Sequence, residues 1–236
     1  MGINPLFDDP DGLKAMLRDI GNEVMFTRSE TGKDALDSRV MAAMAKVPRE
    51  QFVPEFYRYC AFANGPLPIG HGQTISQPYI VALMTDLLQP RPDDIILEVG
   101  TGSGYQAAVL AELVRHVYSI EIVDALAATA GERLAQLGYG NVTVRNGDGY
   151  HGWPEAAPFD GIVVTAAAPY VPQPLVDQLK AGGRLVIPVG QTGDVQWLKT
   201  VDKGPDGAVD MRSVLMVAFV PLTRLAPSAL GDGILS

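Results

Sequence analysis

Two stretches of the chain hold residues whose types and spacing can do chemistry. In the first, Ile95–Val99 (IILEV) runs directly into Gly100, Gly102 and Gly104, after which YQAAVLAELV (Tyr105–Val114) continues with helical composition. A buried β-branched strand, a glycine turn and a helix open a nucleotide-type site in a parallel α/β sheet. Glycine lets a ligand approach the backbone, and the helix N-terminus presents free N–H groups. The spacing is G-x-G-x-G with Glu98 just ahead of it, not the G-x-G-x-x-G of dinucleotide binders. That combination points to an S-adenosyl-L-methionine (AdoMet) loop in preference to an NAD loop. Glu121 follows Gly104 by 17 residues, near the spacing from which an acidic side chain holds ribose hydroxyls. The second stretch is GPLPIGHGQTISQP (Gly65–Pro78), a shaped loop dense in small polar groups: His71, Gln73, Thr74, Ser76 and Gln77. Such a loop leading into a helix is a ligand-contacting candidate, although on this loop alone a capped helix start, with Ser76 or Thr74 as the cap, is the favoured reading.

The elements that must position these residues follow from periodicity. Leu13–Val24 has helical spacing, and a second helix starts after Asp37, its expected cap, and closes at Pro48. Phe52, Phe56, Tyr57, Tyr59 and Phe62 are expected to pack this small helical cover onto the main domain. Arg49 is expected in a surface ion pair, in preference to pairing with a substrate carboxylate. Pro78 is placed to open a helix carrying Ile80, Val81, Leu83 and Met84. From Ile95 onward strands and helices alternate: strand Val117–Ile122, helix Ala125–Leu137 closed by Gly138, strand Val142–Arg145, strand Phe159–Ala166, helix Pro169–Leu179 ended by Gly182-Gly183, and strand Arg184–Val189. Val195–Val201 and Val214–Pro221, joined through GPDG (Gly204–Gly207), read as an antiparallel pair at the sheet edge. The fold class is therefore α/β, a Rossmann-like doubly wound sheet with an N-terminal helical cover and an antiparallel C-terminal strand pair. Ligands of such sheets bind at the strand C-termini, where Gly100, Glu121, Asp148 and Thr165 all fall.

Composition narrows the function. The formal charge of −9 argues against a general nucleic-acid binder. Cys60 is the only cysteine, so an intrachain disulfide and a C-x-x-C site are excluded. The N-terminal residues have no secretory pattern and no apolar run reaches a membrane span, which makes the cytoplasm the expected location. His71, His116 and His151 lack metal-site spacing. The expected organisation is a flexible arm (1–12), a single domain (13–224) made of a cover with its polar loop (13–78) and a Rossmann-like core (79–224), and a tail (225–236).

The chain resembles the protein-L-isoaspartate (D-aspartate) O-methyltransferases. The resemblance rests on VPREQFVP (Val47–Pro54), GHGQTISQP (Gly70–Pro78), ILEVGTGSGYQ (Ile96–Gln106), NGDGYHGW (Asn146–Trp153), FDGIVVTAAAP (Phe159–Pro169), GGRLVIPVG (Gly182–Gly190) and FVPLTR (Phe219–Arg224). The glycine loop is common to many methyltransferases, whereas the segment ending in T-I-S-Q-P is not part of the generic AdoMet fold. The resemblance implies methyl transfer from AdoMet to the free α-carboxylate of L-isoaspartyl and D-aspartyl residues in damaged proteins and peptides, with repair through a succinimide. It implies Ser76 as the active-site serine, within Thr74, Ile75, Ser76 and Gln77 bordering cofactor and substrate. It further implies Gly100, Gly102 and Gly104 against the methionine part of the cofactor, Glu121 on the ribose, and Asp148 with Gly149 at the adenine. Thr223 matches a position near cofactor and peptide, and the backbone around Val220–Leu222 is where the substrate peptide is expected to extend. No metal, nucleic acid, membrane or stable partner is implied. A carboxylate methyltransferase acting on one dedicated peptide, and a non-catalytic AdoMet-binding module, are the alternatives.

Overall fold

The computed structural model describes residues 10–191 and 193–224. Helix α1 (Pro10–Phe26) starts three residues before the expected Leu13, so the end of the expected arm is its first turn. The rest of that arm and the tail from Leu225 lie outside the described residues. A short α2 (Arg28–Thr31) follows, then α3 (Ser38–Lys46), whose first turn is capped by the Asp37 carboxylate accepting the Arg39 N–H. Capping groups of this kind satisfy N–H donors that the helix leaves open. Two 3₁₀ turns, Arg49–Phe52 and Glu55–Cys60, carry the aromatic run. Its packing departs from expectation: Phe52 is buried against Tyr105, but Phe56 and Tyr59 are 75% and 82% exposed, and Phe56 meets Tyr57 and Tyr59 edge to face.

The polar loop is a small hairpin, β1 (Leu67–Gly70) and β2 (Gln73–Ile75), pairing Leu67 with Ile75. Its turn, Gly70-His71-Gly72, runs through three consecutive positive φ values, 94°, 54° and 70°, and only the flanking glycines meet that geometry without strain. Pro78 then opens α4 (Pro78–Leu88), in the first helical turn as expected, because its missing N–H removes no hydrogen bond there. Gln77 occupies the capping position and no side chain caps the helix, so neither Ser76 nor Thr74 has that role.

The sheet contains β3 (Ile95–Val99), β4 (His116–Glu121), β5 (Val142–Asn146), β6 (Phe159–Val164), β7 (Leu179–Val189), β8 (Gln196–Lys203) and β9 (Val209–Val217), in the order β5-β4-β3-β6-β7-β8-β9. Strands β3 to β7 pair in parallel, and β8 and β9 complete the edge antiparallel. Helices α5 (Tyr105–Ala111) and α6 (Asp124–Gln136) connect β3 to β4 and β4 to β5. The crossover before β7 differs from expectation. Its helix, α7 (Gln173–Asp177), has only five residues, and Gly182-Gly183 do not end a helix but lie inside β7. A side chain at Gly183 would come within 2.9 Å of the Asp160 carbonyl, so the glycine lets two strands approach.

The cover and the sheet share one apolar cluster. Met16, Ile20 and Val24 of α1 and Val40 and Met44 of α3 join Val81, Leu83 and Leu87 of α4, which is buried over nearly its whole length, and Val163 and Val186 of the sheet. A second cluster fills the opposite face around Leu97, Ile162, Leu175 and Ile187. The chain order reverses between β3 and β6, which lie side by side, and this switch point opens a crevice at their carboxyl ends.

Candidate active site

The crevice is held open by a lock between the two strand ends. Thr165, just after β6, donates its N–H to Val99 O (2.9 Å) and its hydroxyl to Gly100 O (2.5 Å). Gly100 has φ of +98°, and a Cβ there would lie 2.5 Å from Thr165 Oγ1. Gly149 is equally constrained, since a Cβ would fall 2.3 Å from Val99 Cγ1. Glu121 is buried at the end of β4; its carboxylate accepts the Gly102 N–H (2.8 Å) and the Val123 N–H (3.0 Å). The acid thus fixes the glycine loop from the neighbouring strand.

Beneath the loop, Glu98 is fully buried and shares a short hydrogen bond with the Ser119 hydroxyl, which in turn pairs with Thr101 Oγ1 at 2.6 Å. Burial pushes the Glu98 carboxyl up to about 8, helped by the nearby Glu121 charge and opposed by Ser119 and the Ala107 amide. Glu98 is therefore a neutral acid at pH 7, accepting the Ser119 hydroxyl at the foot of a hydroxyl chain that ends at the loop.

Two clefts meet at this point. The first, about 530 Å3 and open to solvent, is bordered by Gly100, Gly102, Glu121, Gly149, Leu222 and Thr223. The second, larger at about 1,230 Å3, is bordered by Ser76, Gln77, Tyr79, Phe219 and, from the cover, Glu23 and Thr27. Thr74, Thr165 and Val220 belong to both walls. The Ser76 and Thr74 hydroxyls have no hydrogen-bond partner among the described residues, so they are available to a ligand.

Other sequence candidates fall to the side of the clefts. Ile75 is buried in the apolar cluster. Gly104 has φ of +90° and faces Leu134 of α6, serving the turn into α5. The Asp148 carboxylate accepts the Tyr150 N–H (2.9 Å) and presents Gly149, not itself, to the first cleft. His71 is exposed on the hairpin turn, His116 meets Thr143, and His151 is exposed beside Asp148. Among the described residues no cluster of His, Cys, Asp and Glu could hold a metal ion. Arg49 corrects an expectation outright: it is completely buried and makes no surface ion pair. Glu23, Thr27 and Tyr79 were not singled out in the sequence. The only signal for them is the four-residue step from Glu23 to Thr27, one helical turn, beside the apolar face of α1.

The description "Protein-L-isoaspartate(D-aspartate) O-methyltransferase" fits residues 21–226 of the chain. A protein-L-isoaspartate O-methyltransferase 2 of Syntrophobacter fumaroxidans is 62% identical over 218 residues, 92% of this chain and 88% of that protein. The chain belongs to the protein-L-isoaspartate (D-aspartate) O-methyltransferase family. The Polaromonas relative of the same name is also 62% identical, over 88% of this chain and 99% of its own. Among solved structures, a Plasmodium falciparum protein-L-isoaspartate O-methyltransferase in complex with S-adenosyl-L-homocysteine matches with a TM-score of 0.73 and 25% identity, over 89% of this chain and 97% of that one. As a family member the chain is an AdoMet-dependent methyltransferase of isoaspartyl residues. No helix among the described residues is long and apolar enough to cross a membrane.

The first cleft fits the cofactor. Gly100 and Gly149, where a Cβ would collide with Thr165 and Val99, apolar walls from Val99 and Ile120, and a buried carboxylate at the β4 end form a cradle for a nucleoside with a charged tail.

Proposed function

We propose that this chain esterifies the free α-carboxylate of L-isoaspartyl and D-aspartyl residues in damaged proteins and peptides, with the methyl donor in the first cleft and the peptide in the second. The observation that carries this reading is the shared wall of Thr74, Thr165 and Val220, which brings the two clefts together beside the unpartnered Ser76 hydroxyl. Thr74, Gly100, Gly102, Glu121 and Gly149 would hold the cofactor, with Asp148 setting the position of Gly149 and Gly104 that of α5. Ile75 and Gln77 carry the Ser76 backbone, and Thr223 closes the cofactor cleft. Bound AdoMet supplies a methyl group already activated on a sulfonium.

The protein's part is placement. An α-carboxylate with an ordinary pKa near 4 is ionised at pH 7, so no general base is required. That agrees with a site bordered by hydroxyls, without a histidine in either wall. Ser76 donates a hydrogen bond to one carboxylate oxygen and leaves the other directed at the first cleft. Holding the reactants in line and excluding water supplies about 7–11 kcal/mol of the barrier. The peptide runs along Val220–Leu222, a segment kept extended by Ala167, which donates to Val220 O and accepts from Leu222 N (both 2.8 Å). After release, attack of the following peptide nitrogen on the ester carbonyl expels methanol and closes a succinimide, whose hydrolysis returns part of the damage to normal aspartate.

The test is a methyl-transfer assay on an isoaspartyl peptide and its aspartyl twin. Methylation confined to the isoaspartyl form is expected; equal rates, or activity on only one dedicated sequence, would overturn the repair reading. Ser76→Ala should lower turnover about 10–100-fold, the worth of one hydrogen bond to a charged group, with affinity for S-adenosyl-L-homocysteine nearly unchanged.

A further inference from the structure

Arg49 is the largest of the fully buried side chains and the mechanism above does not use it. Its Nε donates to Ala61 O and one terminal nitrogen to Ser76 O, both at 2.8 Å, and its guanidinium carbon lies 4.7 Å from the centre of the Tyr105 ring. Those three contacts join separate parts of the molecule. Ala61 follows the aromatic 3₁₀ turn, Ser76 borders the peptide cleft, and Tyr105 is the first residue of α5, directly after the glycine loop. Among the described residues no carboxylate forms an ion pair with Arg49. A buried cation without a counter-ion is an expensive way to fill space, and an apolar side chain would pack the same volume more favourably. A rigid guanidinium fork, however, can grip two carbonyls in fixed directions while its face lies on an aromatic ring.

We infer that Arg49 is a positioning residue for methyl transfer: it fixes the backbone of Ser76 relative to the helix that begins at the glycine loop. The inference rests on the placement of the peptide beside Ser76 proposed above. Arg49 borders neither cleft, so it acts through Ser76 and not on the substrate. Its grip sets the separation between the group that orients the carboxylate and the loop that holds the donor. An in-line transfer is sensitive to small errors in that separation, and a displacement of about 1 Å can cost a hundredfold in rate.

The experiment compares R49M and R49K with the wild type, counting active sites by S-adenosyl-L-homocysteine titration and measuring turnover of a saturating isoaspartyl peptide per titrated site. R49M keeps the stem and loses the fork. Its turnover per site should fall about tenfold, while its dissociation constant for S-adenosyl-L-homocysteine stays within threefold. R49K reaches one carbonyl at most and should fall between R49M and wild type. A packing role alone would lower the number of titrated sites and leave turnover per site intact. A loss of less than threefold per site in R49M, or a cofactor affinity that falls in step with turnover, overturns the inference. If R49M does not fold, R49K is judged by the same threefold limit. Failure of the repair reading is separate, because it shows in the wild type as methylation without preference for the isoaspartyl peptide.

Discussion

Glu98 makes the stability of this protein depend on pH in a direction opposite to that of most carboxylates. In the folded chain its carboxyl titrates at about 8 because it is fully buried; its ordinary value is 4.5. Below pH 4.5 both folded and unfolded states hold the proton and the contribution is intact. Above about pH 8 both have lost it and the contribution is gone. Between those limits the folded state binds one proton more, so unfolding becomes easier by about 1.4 kcal/mol for each pH unit gained. By pH 7 the forfeited stability is about 3 kcal/mol, a large part of the 5–15 kcal/mol that holds a typical domain together. Glu98→Gln isolates this contribution. The amide is a neutral isostere of the protonated acid, its oxygen able to accept the Ser119 hydroxyl as the carboxyl oxygen does. Denaturant unfolding of both proteins at pH 5, 6, 7 and 8 should show the variant's advantage growing by about 4 kcal/mol across the series. S-adenosyl-L-homocysteine should bind the two proteins alike at pH 7. A difference that stays flat within about 1 kcal/mol would show that Glu98 is ionised in the folded protein, and the reasoning about its burial would be refuted.

Three further outcomes follow from the geometry. Gly149→Ala places a Cβ 2.3 Å from Val99 Cγ1 at the floor of the cofactor cleft; it should cost about 1–3 kcal/mol in unfolding experiments and weaken S-adenosyl-L-homocysteine binding at least tenfold by calorimetry. Glu121→Ala removes the acceptor of the Gly102 and Val123 N–H groups, and should weaken cofactor binding by about 1.5–3 kcal/mol without changing turnover of the loaded enzyme to the same degree. Asp86→Ala breaks the buried pair with Lys33 and the bond from Asp37 N (2.6 Å), so it should destabilise the cover by about 3–5 kcal/mol; because this pair lies away from both clefts, turnover at low temperature should persist.

What could be read from the sequence was whatever a local pattern dictates. Asp37 before an apolar-periodic run, Pro78 at the start of one, and Gly100-x-Gly-x-Gly after a β-branched run each impose a conformation within a few residues, and each stands where that conformation requires. What was missed depends on distant neighbours. Gly182-Gly183 resembles a helix stop in isolation, yet the pressing constraint is the Asp160 carbonyl on the adjacent strand. Phe56 and Tyr59 have the composition of core residues, but the irregular 3₁₀ turn directs them outward. Arg49 is a surface residue by type, and nothing local reveals that two carbonyls and a tyrosine ring enclose it. For the site, the residue types and their strand ends were legible, whereas the contribution of α1 to the second cleft was not. Helical spacing marks Glu23 and Thr27 as polar but leaves unstated what they face.

The extended segment pinned to Ala167 also has a bearing on how the enzyme can be altered. Val220 is common to both clefts, while Leu222 and Thr223 serve the first, and among the described residues the segment's backbone–backbone bonds are the pair at Ala167. Donor seat and acceptor seat therefore lean on a single strap near the end of the chain. Retuning which peptides the enzyme accepts by changing this strap would disturb its grip on the methyl donor as well, so selectivity is more freely adjusted from the opposite bank, where Glu23 of α1 and Thr27 just beyond it stand.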